Sequence, residues 1–133
     1  MELENILSVT GLTGLYKLVT TRSNGIVIED LDSGKKTFIS MRKHQFTPLE
    51  SIGIYTYTDV IDIKDVFSKM DELRDDVPVA KAQGQELHDF FRTVLPDFDE
   101  NRVHLSDIRK VVKWYWFLKE RGLFEATASD EEE

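Results

Sequence analysis

The stretch that decides the fold of the N-terminal half is Leu15-Tyr16-Lys17-Leu18-Val19-Thr20, Ser23-Asn24-Gly25 and Ile26-Val27-Ile28-Glu29-Asp30-Leu31. β-Branched and aromatic residues fill the outer two runs, which is typical of strands. The Asn-Gly pair between them tolerates the positive φ angles of a type I′ turn. The stretch therefore predicts an antiparallel hairpin closed by a type I′ turn.

Further strands are predicted on both sides of this hairpin, at residues 6–9, 36–40 and 52–57. Between the last two, Thr47-Pro48-Leu49-Glu50 predicts a single helical turn with Thr47 as its cap. Five short strands with tight turns favour a small antiparallel SH3-like or Tudor-like β-barrel over residues 1–58. An open antiparallel sheet packed on helices gives the same signals.

From Asp59 the apolar residues recur with the period of a helix, which predicts a helical module over residues 59–124. Asp62 and Ser106 are the expected caps of its first and last helices. The inner faces are expected to carry Ile63, Val66, Phe67, Met70 and Leu73; Leu87, Phe90, Phe91, Val94 and Leu95; and Ile108, Val111, Val112, Tyr115 and Leu118. The fold class is thus α+β, a β-barrel followed by a bundle of about three helices, and residues 125–133 are expected to form an acidic disordered tail.

Charge and composition narrow the class of protein. The net charge of −8 disfavours wholesale binding of a nucleic-acid backbone, and the absence of cysteine excludes disulfides and thiolate chemistry. The acidic first residues and the lack of a long apolar run predict a cytoplasmic protein with no membrane partner.

No motif for catalysis, a cofactor or a metal is found in the sequence, so we expect no enzymatic activity and no cofactor. Asp97, Asp99 and Asn101 have the spacing of the first ligands of a calcium loop. Arg102 and Ile108, however, stand where that loop needs glycine and glutamate. A solvated connection between helices is the preferred interpretation.

Four consecutive aromatic residues on the third helix suggest a protein interface. With Tyr115 directed inward, Phe117 is expected to point outward among cations. The candidate interface consists of Trp114, Trp116, Phe117, Arg109 and Lys113. A neighbouring element that covers this side is the alternative; otherwise such a patch marks contacts with another protein or a second copy.

Basic and aromatic residues also cluster around the predicted strand 36–40. The cluster consists of Lys35, Lys36, Arg42, Lys43 and Phe46. Small barrels bind single-stranded nucleic acid with such residues, because aromatic rings stack on bases and cations neutralise phosphates. Lysines on an edge strand also serve as ordinary protection against aggregation.

The sequence resembles an uncharacterised Bacteroidetes family, a domain of unknown function. Two groups of segments carry the likeness: Ile6-Leu7-Ser8-Val9 with Gly14-Leu15-Tyr16-Lys17-Leu18, and Leu95-Pro96-Asp97-Phe98-Asp99 with Arg102-Val103 and Ser106-Asp107-Ile108 through Trp114-Tyr115. The resemblance implies a shared bacterial architecture and brings no activity with it. The leading hypothesis is a non-enzymatic adaptor acting through protein contacts, and the alternative is a nucleic-acid- or ribosome-associated module.

Overall fold

The computed structural model describes residues 3–122, which form two compact units, residues 3–52 and residues 53–122. The first unit is a five-stranded antiparallel sheet followed by a 3₁₀ turn at Leu49–Ser51. Its strands are β1 (Ile6–Val9), β2 (Tyr16–Arg22), β3 (Gly25–Asp30), β4 (Lys36–Ser40) and β5 (Phe46–Pro48). The expected tail at 125–133 lies outside the described residues.

The sheet of the first unit is open, so the predicted closed barrel is not present. The strand order is β4-β3-β2-β1-β5, and no ladder joins β4 to β5 within residues 3–122. The strand predicted at 52–57 does not belong to this sheet. The fifth strand is instead β5, a short segment that pairs with β1 through Val9 and Phe46.

One face of the sheet is buried, because apolar residues alternate along the strands with the period of two that an extended chain imposes. The core cluster consists of Leu7, Val9, Ile26, Ile28 and Ile39, and the half-buried side chains of Leu12, Tyr16, Leu18 and Phe46 pack against it. In β3, Val27 and Glu29 alternate with the buried residues and point to the other face of the sheet. The hydrophobic alternation thereby fixes the register of the meander.

The β2–β3 hairpin is confirmed, but its type I′ turn is wrong. Arg22 pairs with Gly25, so Ser23 and Asn24 form the loop, and neither has the positive φ that a type I′ turn requires. Gly25 is needed for a different reason. A Cβ at this position would clash with the carbonyl oxygen of Ile39, so the glycine permits the close approach of β4.

The second unit begins with a two-stranded antiparallel sheet and continues with three helices. The elements are β6 (Gly53–Tyr55), β7 (Val60–Asp62), α1 (Ile63–Glu72), α2 (Gly84–Val94) and α3 (Leu105–Glu120). Residues 53–58, which the sequence assigned to the β-module, lie in this unit because β6 pairs with β7. The boundary between the two units therefore falls after Ile52, six residues before the predicted one.

The helical periodicity is confirmed by burial. Of the apolar residues predicted to face inward, all are buried except Leu73, which ends α1 as its half-exposed C-cap. The caps differ from prediction: Asp62 is the N-cap of α1 but makes no capping hydrogen bond with its side chain, and the N-cap of α3 is His104 rather than Ser106. The carboxylate of Asp107 accepts a hydrogen bond from the His104 amide, 3.0 Å away. No helix within residues 3–122 is long and apolar enough to cross a membrane.

Candidate functional site

Strand β4 is an edge of the five-stranded sheet, and alternate backbone groups point away from the sheet. The Asp30 amide donates to the Lys35 carbonyl and the Met41 amide donates to the Asn24 carbonyl, so the pairs that exchange hydrogen bonds fall on odd-numbered residues of this segment. The N–H and C=O of Lys36 and Phe38 consequently face outward. No strand pairs with this edge in the part of the chain that the structure describes.

A shallow groove of about 210 Å³ lies beside this edge on the inner face of the sheet. It is lined by Leu12, Tyr16, Ile28, Asp30, Lys35, Thr37 and Ile39. Thr37 and Ile39 belong to β4 itself, so the groove adjoins the edge directly. Small-molecule sites enclose roughly 300–1,000 Å³, and this groove is the size of one side chain.

The outer face of the sheet carries an exposed apolar side chain at the same edge. Phe38 lies opposite Val27 and remains 47% exposed. Met41, in the turn after β4, is 56% exposed, and Val19, in β2 two strands from this edge, is 42% exposed. Both faces next to β4 therefore offer apolar contact, the groove on one side and Phe38 on the other.

The segment around β4 is positively charged. Residues 33–49 contain four cations and no aspartate or glutamate: Lys35, Lys36, Arg42 and Lys43, all of them exposed. Two acids of β3 lie across the ladder from the lysines: Asp30 is opposite Lys35, and Glu29 is opposite Lys36 and beside Lys17. The positive charge of this edge contrasts with the net charge of −8 of the whole chain.

The predicted nucleic-acid patch is only partly assembled. Lys35 and Lys36 stand at the start of β4 whereas Arg42 and Lys43 follow its end, about 17 Å away at roughly 3.3 Å per residue. Phe46 is half-buried and packs against the core cluster, so its ring is not free to stack on a base. The structure thus places the cations near the two ends of β4, and it packs the ring of Phe46 against the core.

The predicted aromatic interface on α3 is engaged in contacts within its own unit. The indole Nε1 of Trp116 donates to the Pro78 carbonyl, 2.8 Å away. Arg109 donates from Nη1 to the carbonyls of Ala80, at 2.5 Å, and Ala82, at 3.1 Å. The segment 78–82 therefore covers this side of α3, which was the alternative considered from the sequence.

The remaining members of the aromatic interface are not an exposed patch either. Phe117 is half-buried, and the Arg121 guanidinium carbon lies 3.5 Å from the centre of its ring. Trp114 is also half-buried, with the Lys110 ammonium 6.0 Å from its ring centre. In the predicted set, Lys113 alone is exposed.

The Asp97–Asn101 loop uses its carboxylates to hold its own backbone. Asp99 accepts a hydrogen bond from the Asn101 amide at 2.9 Å and forms an ion pair with Arg102 at 3.5 Å. This geometry fits the interpretation of a connection between helices. Within residues 3–122, no group of three or more histidine, aspartate and glutamate side chains could hold a metal ion.

The position of β4 at the edge of the sheet was not predicted, because strand order cannot be read from one sequence. One signal was available: the run 33–49 carries four lysine and arginine residues and no acidic residue in a chain of net charge −8. The cations of this run, together with Phe46, were the basis of the alternative hypothesis of a nucleic-acid patch.

The comparisons with known proteins follow the same two-part division. Residues 3–49 match Domain of unknown function (DUF5606), and residues 52–118 match Domain of unknown function (DUF6852). A protein from Bacteroides vulgatus, solved by solution NMR by the Northeast Structural Genomics Consortium, is 31% identical with a TM-score of 0.75. The alignment covers 92% of this chain and 89% of that one. No curated protein matches the sequence. The chain thus belongs to the DUF6852 family, with a DUF5606 domain preceding the family's own.

Proposed function

We propose that this protein is a non-enzymatic binding module that takes an extended segment of another protein as an added strand at β4. The observation that carries the proposal is the outward row of backbone groups at Lys36 and Phe38 on an edge strand. In strand addition, hydrogen bonds of the main chain supply affinity, and pockets for alternate side chains supply specificity.

The side chains of an added strand would alternate between the two faces of the sheet, and each face offers a contact for them. Residues of the partner opposite Lys36 and Phe38 would place their side chains on the outer face, against the exposed ring of Phe38. Residues opposite Thr37 and Ile39 would place theirs on the inner face, next to the groove. An extended segment with apolar residues at successive positions therefore finds a contact for each of them.

We further propose that the sheet is an SH3-like architecture that is opened between β4 and β5. The order β4-β3-β2-β1-β5 supports this, since β1 pairs with both β2 and β5 and so joins the last strand to the meander. The register shift between Leu18 and Thr20 adds curvature to β2, as bulges do. Opening at β4 supplies the edge that the proposed function uses.

Selection of peptides from a displayed random library on the full chain tests the proposal. We expect enriched peptides with alternating β-branched residues and without proline, which bind in the micromolar range or tighter. Phe38→Pro should abolish their binding, because proline removes the outward N–H. Lys113→Ala on α3 is the control and should bind the peptides normally. An alanine is used there because Lys113→Pro would break the helix.

Two results would contradict the proposal. One is that no peptide is enriched above the level of an unrelated protein of similar charge. The other is that Phe38→Pro, shown to be folded by its amide spectrum, binds the enriched peptides as well as the wild type does.

A further inference from the structure

We infer that the segment bound at β4 is acidic, with carboxylates flanking a short apolar centre; the inference rests on the function proposed above and names its partner. The segment 33–49 carries Lys35, Lys36, Arg42 and Lys43 without any acidic residue. Charged groups across an interface are arranged so that positive meets negative, which selects partners and accelerates encounter.

The positions of these cations define where the carboxylates belong. Lys36 projects on the outer face, where Glu29 of β3 is its neighbour on one side and a carboxylate of the added strand would be its neighbour on the other. Lys35 lies at the groove on the inner face, which Asp30 of β3 also lines. Arg42 and Lys43 follow the other end of the strand. A bound segment therefore meets cations at both of its ends and apolar side chains between them.

Backbone geometry separates this partner from a nucleic acid. The outward N–H and C=O groups of Lys36 and Phe38 alternate along the strand, and a polypeptide in the extended conformation matches that spacing with its own donors and acceptors. A nucleic acid would use the cations and stacking rings instead. Phe46 is packed against the core, and the cations are divided between the two ends of β4.

The same charges exclude a second copy of this chain as the occupant. Pairing β4 with β4 of another molecule would bring two acid-free segments side by side and concentrate eight cations at one edge. Charged residues on edge strands oppose self-pairing for this reason. An acidic strand relieves that repulsion, so the cations discriminate between a partner and a copy.

Three matched peptides test the inference with the full-length protein. Each has the same central Val-Thr-Val run, flanked by glutamates, glutamines or lysines. We expect the glutamate peptide to bind about tenfold more tightly than the glutamine peptide in low salt, with the ratio falling as ionic strength rises. The lysine peptide should bind least.

Variants of the protein locate the effect. Lys36→Gln combined with Arg42→Gln should reduce the preference for glutamate over glutamine at least about threefold. Lys110→Gln combined with Lys113→Gln removes the same charge from α3 and should leave the preference unchanged.

The outcomes separate the partner's chemistry from the proposed function. One outcome is that the glutamate and glutamine peptides bind equally well, with Phe38→Pro abolishing the binding of both. That result would overturn the acidic preference and still support strand addition. Binding of none of the three peptides would overturn both. The inference would also be overturned if a single-stranded oligouridine bound at Lys36 and Arg42 more tightly than the glutamate peptide does. Dimerisation of the protein that Phe38→Pro abolishes would overturn it as well.

Discussion

The indole Nε1 of Trp116 donates a hydrogen bond to the Pro78 carbonyl, 2.8 Å away. This contact ties α3 to the segment that connects α1 and α2, and Arg109 reinforces it through Ala80 and Ala82. The aromatic run on α3, which in sequence suggests a surface for partners, is thus committed to the packing of its own unit.

Trp116→Phe should destabilise the helical unit without altering any association. The phenylalanine keeps a ring but leaves the Pro78 carbonyl without its donor, so the free energy of unfolding should fall by about 1 kcal/mol. Urea denaturation followed by circular dichroism measures the change. A shift in oligomeric state with unchanged stability would instead indicate that Trp116 is an interface residue.

Tyr115→Phe should also destabilise this unit, through a different bond. The Tyr115 hydroxyl donates to the Asp71 carboxylate at 2.9 Å, and Lys119 reaches the same oxygen at 3.1 Å. Hydrogen bonds to charged groups contribute about 1.5–3 kcal/mol, and we expect a loss in the lower half of that range because Lys119 remains. A loss below about 0.3 kcal/mol in urea denaturation would show that this bond contributes nothing.

Gly25→Ala should destabilise the β-unit by about 2 kcal/mol or more. The added Cβ would clash with the Ile39 carbonyl oxygen, a backbone atom held in the ladder, so the strands must separate. Asn24→Ala is the matched control in the same turn and should cost less than about 0.5 kcal/mol, since Asn24 is not left-handed. Equal costs at the two positions would contradict this account of the hairpin.

Proline substitutions along β4 should distinguish its two rows of backbone groups. Phe38→Pro removes an outward N–H, and we expect the free energy of unfolding to fall by only about 1 kcal/mol. Thr37→Pro removes an N–H that donates to β3 and should cost about 3 kcal/mol or more, although the Thr37 side chain is exposed. Thermal unfolding of the two variants compares them directly, and a greater loss for Phe38→Pro would reverse the assigned orientation of the strand.

Local patterns were sufficient to predict most elements. The strand at Lys36–Ser40 and the buried face of α2 follow from periodicity, because burial of one face imposes a period of two or 3.6 residues. The strand β5 was missed because Phe46–Pro48 is three residues long and contains a proline, which is tolerated at a sheet edge but masks the pattern.

Long-range pairing was not predictable in the same way. Gly53–Tyr55 has the composition of a fifth barrel strand, and its pairing with Val60–Asp62 is decided by tertiary contacts. The position of Phe46 was not predictable for the same reason. Whether Phe46 is a stacking ring or a core residue depends on the pairing of Phe46 with Val9, which no local pattern specifies.

Amide hydrogen exchange of the full chain, with and without the glutamate-flanked peptide, tests strand addition at β4 most directly. The amides of Thr37 and Ile39 face β3 and provide an internal reference. We expect the Lys36 and Phe38 amides to exchange rapidly in the free protein and to become protected when the peptide binds, with little change at Thr37 and Ile39. Peptide binding that leaves Lys36 and Phe38 unprotected would contradict the account.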